Sequence, residues 1–146
     1  MKNIWSILCQ ESSVDSNTNK ISLFNCIDEL TMSFARREEI NDKPKNIPLS
    51  FDLVSLWTKE IDEPDNFNIL IQFFDPNGKE LKSFEQDISF ERGKKRLRAI
   101  IKVNGFVITS DGTYKIKLSY KQNDDDKYKP FSELPFDVIF VFQEKI

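Results

Sequence analysis

The 146-residue sequence predicts an all-β fold, and three observations carry that expectation. Apolar residues recur at every second position in several separate segments, the period of a half-buried strand. Turn-forming residues punctuate the chain between those segments. Nowhere does an apolar pattern of helical period run long enough for a substantial helix.

The elements follow in chain order. Two N-terminal segments, about 4–11 and 20–27, are short and rich in Ile, Leu and Phe. Asp15 to Asn19 reads as the polar loop of a hairpin between them, and a further strand is expected over 29–34. The one stretch that suits a helix lies within Arg36–Asp42, because Pro44 and Pro48 forbid continuation. Leu49, Phe51 and Leu53 then alternate, and the pattern runs past Ser55 towards Trp57. Phe67, Ile69, Ile71 and Phe73 form the next face, closed by Asp75-Pro76-Asn77-Gly78. There Pro presets φ and Gly supplies the positive φ of a tight turn. A strand is expected over 80–90, followed by a turn at Gly93. Leu97, Ala99, Ile101 and Val103 make another face, ended by Asp111-Gly112. Tyr114, Ile116, Leu118 and Tyr120 alternate with Lys115, Lys117, Ser119 and Lys121. A charged loop from Asn123 to Lys129 leads to Phe136, Val138, Phe140 and Phe142. Strands at this spacing predict a two-sheet antiparallel β-sandwich of immunoglobulin-like type, with seven to nine strands and residues 1–146 in a single domain.

Composition agrees with a packed domain. Hydrophobic residues make up 39% of the chain, including 13 Phe, whose rings remove much apolar area from water. Charged residues make up 31% and there are only 4 Gly and 6 Pro, which argues against disorder or collagen-like repeats. Cys9 and Cys26 each fall in an apolar run and read as buried small hydrophobes in a reducing compartment, ahead of a disulfide. The opening residues lack a full apolar core and a small-residue cleavage site, so no signal peptide is expected. No stretch approaches the ~20 apolar residues of a membrane span. The predicted location is the cytoplasm.

Strand-and-turn patterns carry one resemblance. Ile7-Leu8-Cys9-Gln10-Glu11 leads through a polar loop to Lys20-Ile21-Ser22-Leu23-Phe24-Asn25, then Asp28-Glu29-Leu30. Phe73-Phe74-Asp75-Pro76-Asn77-Gly78-Lys79-Glu80, Gly112-Thr113-Tyr114-Lys115-Ile116 and Leu134-Pro135-Phe136-Asp137-Val138 extend the pattern over most of the chain. It resembles an uncharacterised bacterial domain-of-unknown-function family of small cytoplasmic β-sandwich proteins. The chain departs from that family in lacking Gly-rich turns and in its high Phe and Lys content. The resemblance implies a β-sandwich in a bacterial cytoplasm and no activity.

The chemistry of the sequence points away from catalysis. There is no histidine, which removes Ser-His-Asp and Cys-His nucleophile systems and most zinc and iron sites. Neither GxxxxGK[ST] nor GxGxxG is present, so no phosphate-cradling loop is expected. The expectation is a non-enzyme with no cofactor. Acidic loops at Asp62, Glu63 and Asp65, and at Asp124, Asp125 and Asp126, pose a calcium question. Calcium needs about six to eight converging oxygens, whereas consecutive aspartates point apart and usually form a solvated run.

The strongest charge feature is the basic cluster Arg92, Lys94, Lys95, Arg96 and Arg98. It suits a solvated turn guarding an exposed strand edge, or an acidic protein partner. The net charge of −3 and the absence of interleaved aromatic residues argue against nucleic acid. Trp5 is assigned to the core, whereas Trp57, near a strand end beside Thr58-Lys59-Glu60, is expected to be partly exposed. Two strands look apolar on both faces: Val54 and Leu56 lie opposite Phe51 and Leu53, and Ile139 and Val141 opposite Phe136–Phe142. A covering loop, or the 36–48 segment, would account for that, as would a partner surface. The functional expectation is therefore a non-enzymatic protein-interaction module. Its partner would be an unidentified bacterial protein or a second copy of the chain, and its candidate contacts Trp57, Arg92, Lys94, Lys95, Arg96 and Arg98. The alternative is a ligand- or calcium-binding, C2-like sandwich acting through its acidic end loops.

Overall fold

A computed structural model describes residues 1–37, 45–122 and 127–143. Period-two segments become strands β1 (Lys2–Val14), β2 (Ile21–Cys26), β3 (Glu29–Phe34), β4 (Lys45–Thr58), β5 (Asp65–Phe74), β6 (Glu80–Phe90), β7 (Arg96–Ile108), β8 (Gly112–Gln122) and β9 (Lys129–Phe142). Among the described residues they form two sheets, one ordered β2-β1-β4-β7 and the other β3-β9-β8-β5-β6. The expected helix within Arg36–Asp42 lies outside the described residues from position 38 onward.

The facing surfaces of the two sheets make one core. Leu8, Phe51, Leu53, Trp57, Ala99, Ile101 and Val103 from the first sheet meet Phe67, Ile69, Ile71, Phe73, Tyr114, Ile116, Leu118, Phe136 and Val138 from the second. Removing these side chains from water is the main force holding the layers together, at roughly 1.5–3 kcal/mol for each large apolar residue.

One pairing departs from the antiparallel expectation: β3 runs parallel to β9 along six register pairs, from Glu29↔Asp137 to Phe34↔Phe142. On its other side β9 is antiparallel to β8, as β8 is to β5 and β5 to β6, so the second sheet is antiparallel except at its β3 edge.

Local irregularities keep the core continuous. β4 carries Pro48 in its interior, and the β4–β7 register shifts between Ile47 and Ser50. Such a bulge is where a strand tolerates a residue without an N–H. Opposite it, Gly105 adopts φ +82°, which turns Phe106 and Ile108 into the core after Val103. The Asp75-Pro76-Asn77-Gly78 turn forms as its residues predict: the Asp75 carboxylate accepts N–H bonds from Asn77 and Lys79, both at 2.9 Å, and Gly78 takes φ +83°. At the β7–β8 corner the buried Tyr114 hydroxyl donates to the Ser110 carbonyl at 2.6 Å and accepts the amides of Thr109 and Ser110.

The two tryptophans occupy places opposite to those expected. Trp5 pairs with Leu56 in unbroken register with Ser6↔Ser55 and Ile7↔Val54, so it lies on the outer face and is only half-buried. Trp57 points inward and is fully buried against Phe67, Tyr120 and Phe131, with ring centroids 4.7–5.4 Å away. By period two Trp5, Ile7 and Cys9 share one face of β1 and Leu8 lies on the other, so apolar residues on both faces left the core side of the strand unmarked. Cys9 is buried as expected, but Cys26 is exposed because it lies on β2 at the sheet's edge.

Candidate functional site

The outer face of the first sheet is apolar where a solvated face would be polar. Across the register it reads Trp5–Leu56–Arg98, then Ile7–Val54–Ile100, then Cys9–Asp52–Lys102. Val54 is nevertheless 0% exposed. Its cover comes from the chain itself, because the far half of the β1–β2 hairpin leans across this face. Asn25, in the left-handed region at φ +52°, interrupts the extended course of β2, and Asn accepts that conformation more readily than most residues. Beyond that point the Ser12 amide and hydroxyl donate to Asp52 Oδ2 at 3.0 and 2.7 Å. Farther out, Arg98 Nη2 donates to the Asn19 carbonyl.

Between the hairpin tip and β7 this arrangement leaves a cleft of about 400 Å³. Val14, Leu56, Leu97 and Ile100 supply its apolar lining, and Lys94, Arg96 and Arg98 its cations. Arg98 Nη1 is buried and makes no hydrogen bond to any described residue, which leaves the positive charge at this side of the cleft incompletely met.

The five residues of the basic cluster are thereby divided. Lys94, Arg96 and Arg98 line the cleft, whereas Arg92 and Lys95 are exposed on the turn outside its lining. Lys94 also pairs with Glu91 at 3.4 Å, and Arg96 Nη1 donates to the Thr58 hydroxyl at 2.6 Å. Trp57, the sixth candidate, lies in the core with no surface to offer a partner. Ile139 and Val141 remain 40% and 43% exposed on the outer face of the second sheet, so the two apolar-faced strands differ: β4 is covered and this part of β9 is not.

Asp52 is the residue that sequence reasoning passed over. It is only 4% exposed and sits between Ser12 and Lys102, whose Nζ is 3.2 Å from Oδ1. Burial opposes its ionisation, but the Ser12 hydroxyl and amide and the Lys102 ammonium outweigh that and hold the carboxyl below its ordinary value. A lone acid inside the apolar run Phe51–Ser55 was the available signal that this face meets more of the chain. Because the folded-state pKa is depressed, the stabilisation is complete above the unfolded value and is lost as pH falls through the folded one. Unfolding midpoints are therefore expected to drop steeply below about pH 4. Asp15, whose carboxylate accepts the Thr18 and Asn17 amides, is lowered as well and contributes in the same window. Asp52→Ala isolates one share: it should cost roughly 1–2 kcal/mol at neutral pH and flatten the acid limb, as urea titrations from pH 3 to about 7 would show.

The acidic loop after β4 is partly committed to internal contacts. Asp62 Oδ1 accepts the Gly93 amide at 2.6 Å, and Asp65 Oδ2 accepts the Gln122 side chain at 2.5 Å. A second cleft, about 540 Å³, opens at this end between Met1, Lys2, Glu60, Glu63, Asp65 and Gln122. Among the described residues no group of three or more His, Cys, Asp or Glu converges as metal ligands would. Asp124, Asp125 and Asp126 lie outside the described residues. No helix among the described residues is long and apolar enough to cross a membrane. Comparison with known proteins adds no relative: no family model matches the chain, and neither a curated protein nor a solved structure is significantly similar to it.

Proposed function

We propose that the chain is an immunoglobulin-like β-sandwich acting as a non-enzymatic protein-interaction module, and that it binds an acidic protein segment in the cleft between the β1–β2 hairpin and β7. One observation carries the reading: an apolar floor and three cations share a cleft, and one of those cations, Arg98, has a guanidinium N–H with no partner among the described residues. Interfaces concentrate binding energy where apolar contact and desolvated Arg coincide. The immunoglobulin likeness draws support from the parallel β3–β9 edge and from the Tyr114 hydroxyl anchored to the backbone at the β7–β8 corner. The resemblance to bacterial sandwich proteins suggests a cytoplasmic bacterial partner.

Affinity capture from the host's lysate tests the proposal with two paired variants. A specific partner should be retained by the wild type and by Arg92→Ser/Lys95→Ser, and lost by Lys94→Ser/Arg96→Ser. Retention by both variants, or by neither, would place the contact elsewhere.

The end cleft gives a place to a second reading, a ligand- or calcium-binding sandwich, although Glu60, Glu63 and Asp65 beside it do not converge as metal ligands would. A ligand bound only by the folded state raises the melting midpoint. A rise in Tm on adding calcium, together with empty captures, would favour this reading over the first.

A further inference from the structure

The hairpin that covers the first sheet also holds both of the chain's cysteines. Cys9 and Cys26 are register partners on β1 and β2, and both are free thiols. The type of pair they form follows from one hydrogen bond: the Ile27 amide donates to the Leu8 carbonyl at 2.8 Å. That bond joins the residue after Cys26 to the residue before Cys9. In an antiparallel ladder it flanks a non-hydrogen-bonded pair, whose Cα atoms approach to about 4.5 Å. A disulfide spans Cα separations of about 4.4–6.8 Å, so the backbone already lies within its reach. Cβ atoms in such pairs stand close to 4.5 Å apart, at the upper end of what the bond accepts.

The two thiols differ in their surroundings. Cys26 is exposed, whereas Cys9 is 0% exposed. Burial, then the neighbouring Asp52 carboxylate, raises the Cys9 thiol above its ordinary pKa. Cys26 is therefore the sulfur that a soluble oxidant meets first, and Cys9 the one that closes the bond.

We propose that Cys9 and Cys26 form a reversible cross-strand disulfide that fixes the base of the β1–β2 hairpin. The oxidant is a small-molecule disulfide such as oxidised glutathione. The Cys26 thiolate attacks one of its sulfurs, the S–S bond breaks, and one glutathione leaves as thiolate. Cys9 then gives its proton to water, and its thiolate attacks Cys26 Sγ, breaking the mixed disulfide and releasing the second glutathione. The two cysteine sulfurs are oxidised and the two glutathione sulfurs reduced, so nothing further is consumed. The bond closes the ladder next to Asn25, where β2 leaves its extended course, and so restrains the hairpin half that forms one wall of the cleft.

Intact-mass spectrometry and thiol counting on the native full chain, with and without oxidised glutathione, test this. The expected product is a monomer lighter by two hydrogens, with no titratable thiol and full recovery on adding dithiothreitol. Its formation from the mixed disulfide should quicken by roughly tenfold per pH unit while the Cys9 thiol remains mostly protonated. Amide exchange across residues 10–25 should slow in the oxidised chain. Cys26→Ser, at an exposed position, should fold and leave Cys9 unmodified under the same treatment. A chain that stops with glutathione on Cys26 and a free Cys9 would overturn the proposal. So would two unreacted thiols under conditions that oxidise the urea-unfolded chain, or a disulfide-linked dimer.

Discussion

Replacing Trp57 with alanine is expected to remove roughly 3–5 kcal/mol of stability, the usual range for deleting a large buried ring. That is a large fraction of the ~5–15 kcal/mol available to a domain. A chain of this length should melt on the order of 10 °C lower in consequence. The expectation rests on position rather than residue type. Trp57 is 0% exposed and touches Phe67 and Tyr120 on the second sheet's strands β5 and β8 and Phe131 on β9. Its removal opens a void where the two layers meet, and backbone held in ladders on both sides collapses poorly into it. The indole N–H refines the prediction, since Nε1 is buried without a partner among the described residues. Trp57→Phe sheds that unsatisfied donor while keeping a ring, so it should cost less than half as much. Calorimetry on the three proteins separates the two contributions. Capture by the folded fraction should be unchanged in Trp57→Phe, because the side chain has no exposed surface. A loss of partner binding with unchanged stability would return Trp57 to the interaction surface.

Strand faces were legible in the sequence because period two survives wherever a strand is regular. Phe67 to Phe73 and Tyr114 to Tyr120 face the core as their alternation predicts. The turn at Asp75–Gly78 was legible because each of its residues has a local reason to be there. What was not legible depends on single-residue register. β1 carries apolar residues on both faces, and which of them meets the core depends on its register against β4: Leu8 faces inward and Trp5 does not. The outer cover was hidden for a similar reason, because one left-handed residue, Asn25, sets where the hairpin turns and Asn is common in extended segments too. The basic cluster was visible as composition. Its division into cleft and turn required knowing that Arg98 stands opposite Leu56 and Arg96 opposite Thr58. Cys9 and Cys26 were visible as well, but their opposition is a consequence of hairpin register that cysteine spacing alone does not reveal.

Lys59 is where the second large effect is expected, at a residue whose charge gives no hint of burial in the sequence. It is 7% exposed, yet its Nζ donates to the Glu63 carbonyl at 2.6 Å and the Glu91 carbonyl at 2.7 Å. The ammonium also lies 4.5 Å from the centroid of the Phe90 ring. A buried cation is costly unless its donors are met, and here backbone carbonyls of two different loops meet them. The same side chain therefore ties the β4–β5 loop to the β6–β7 turn, alongside the Asp62–Gly93 bond. Lys59→Met keeps the apolar stem but leaves both carbonyls without their donor. Charged hydrogen bonds contribute about 1.5–3 kcal/mol each, offset in part because the cation no longer needs desolvating, so a net loss of roughly 2–4 kcal/mol is expected. The turn that Lys59 anchors carries Lys94 and leads directly into Arg96, which couples this prediction to the cleft. In Lys59→Met, amide exchange over 91–95 should accelerate more than that of the core strands, and affinity for an acidic partner should fall even in the fully folded protein. Uniform acceleration across the molecule, with affinity intact, would show that Lys59 stabilises the fold without positioning the basic turn.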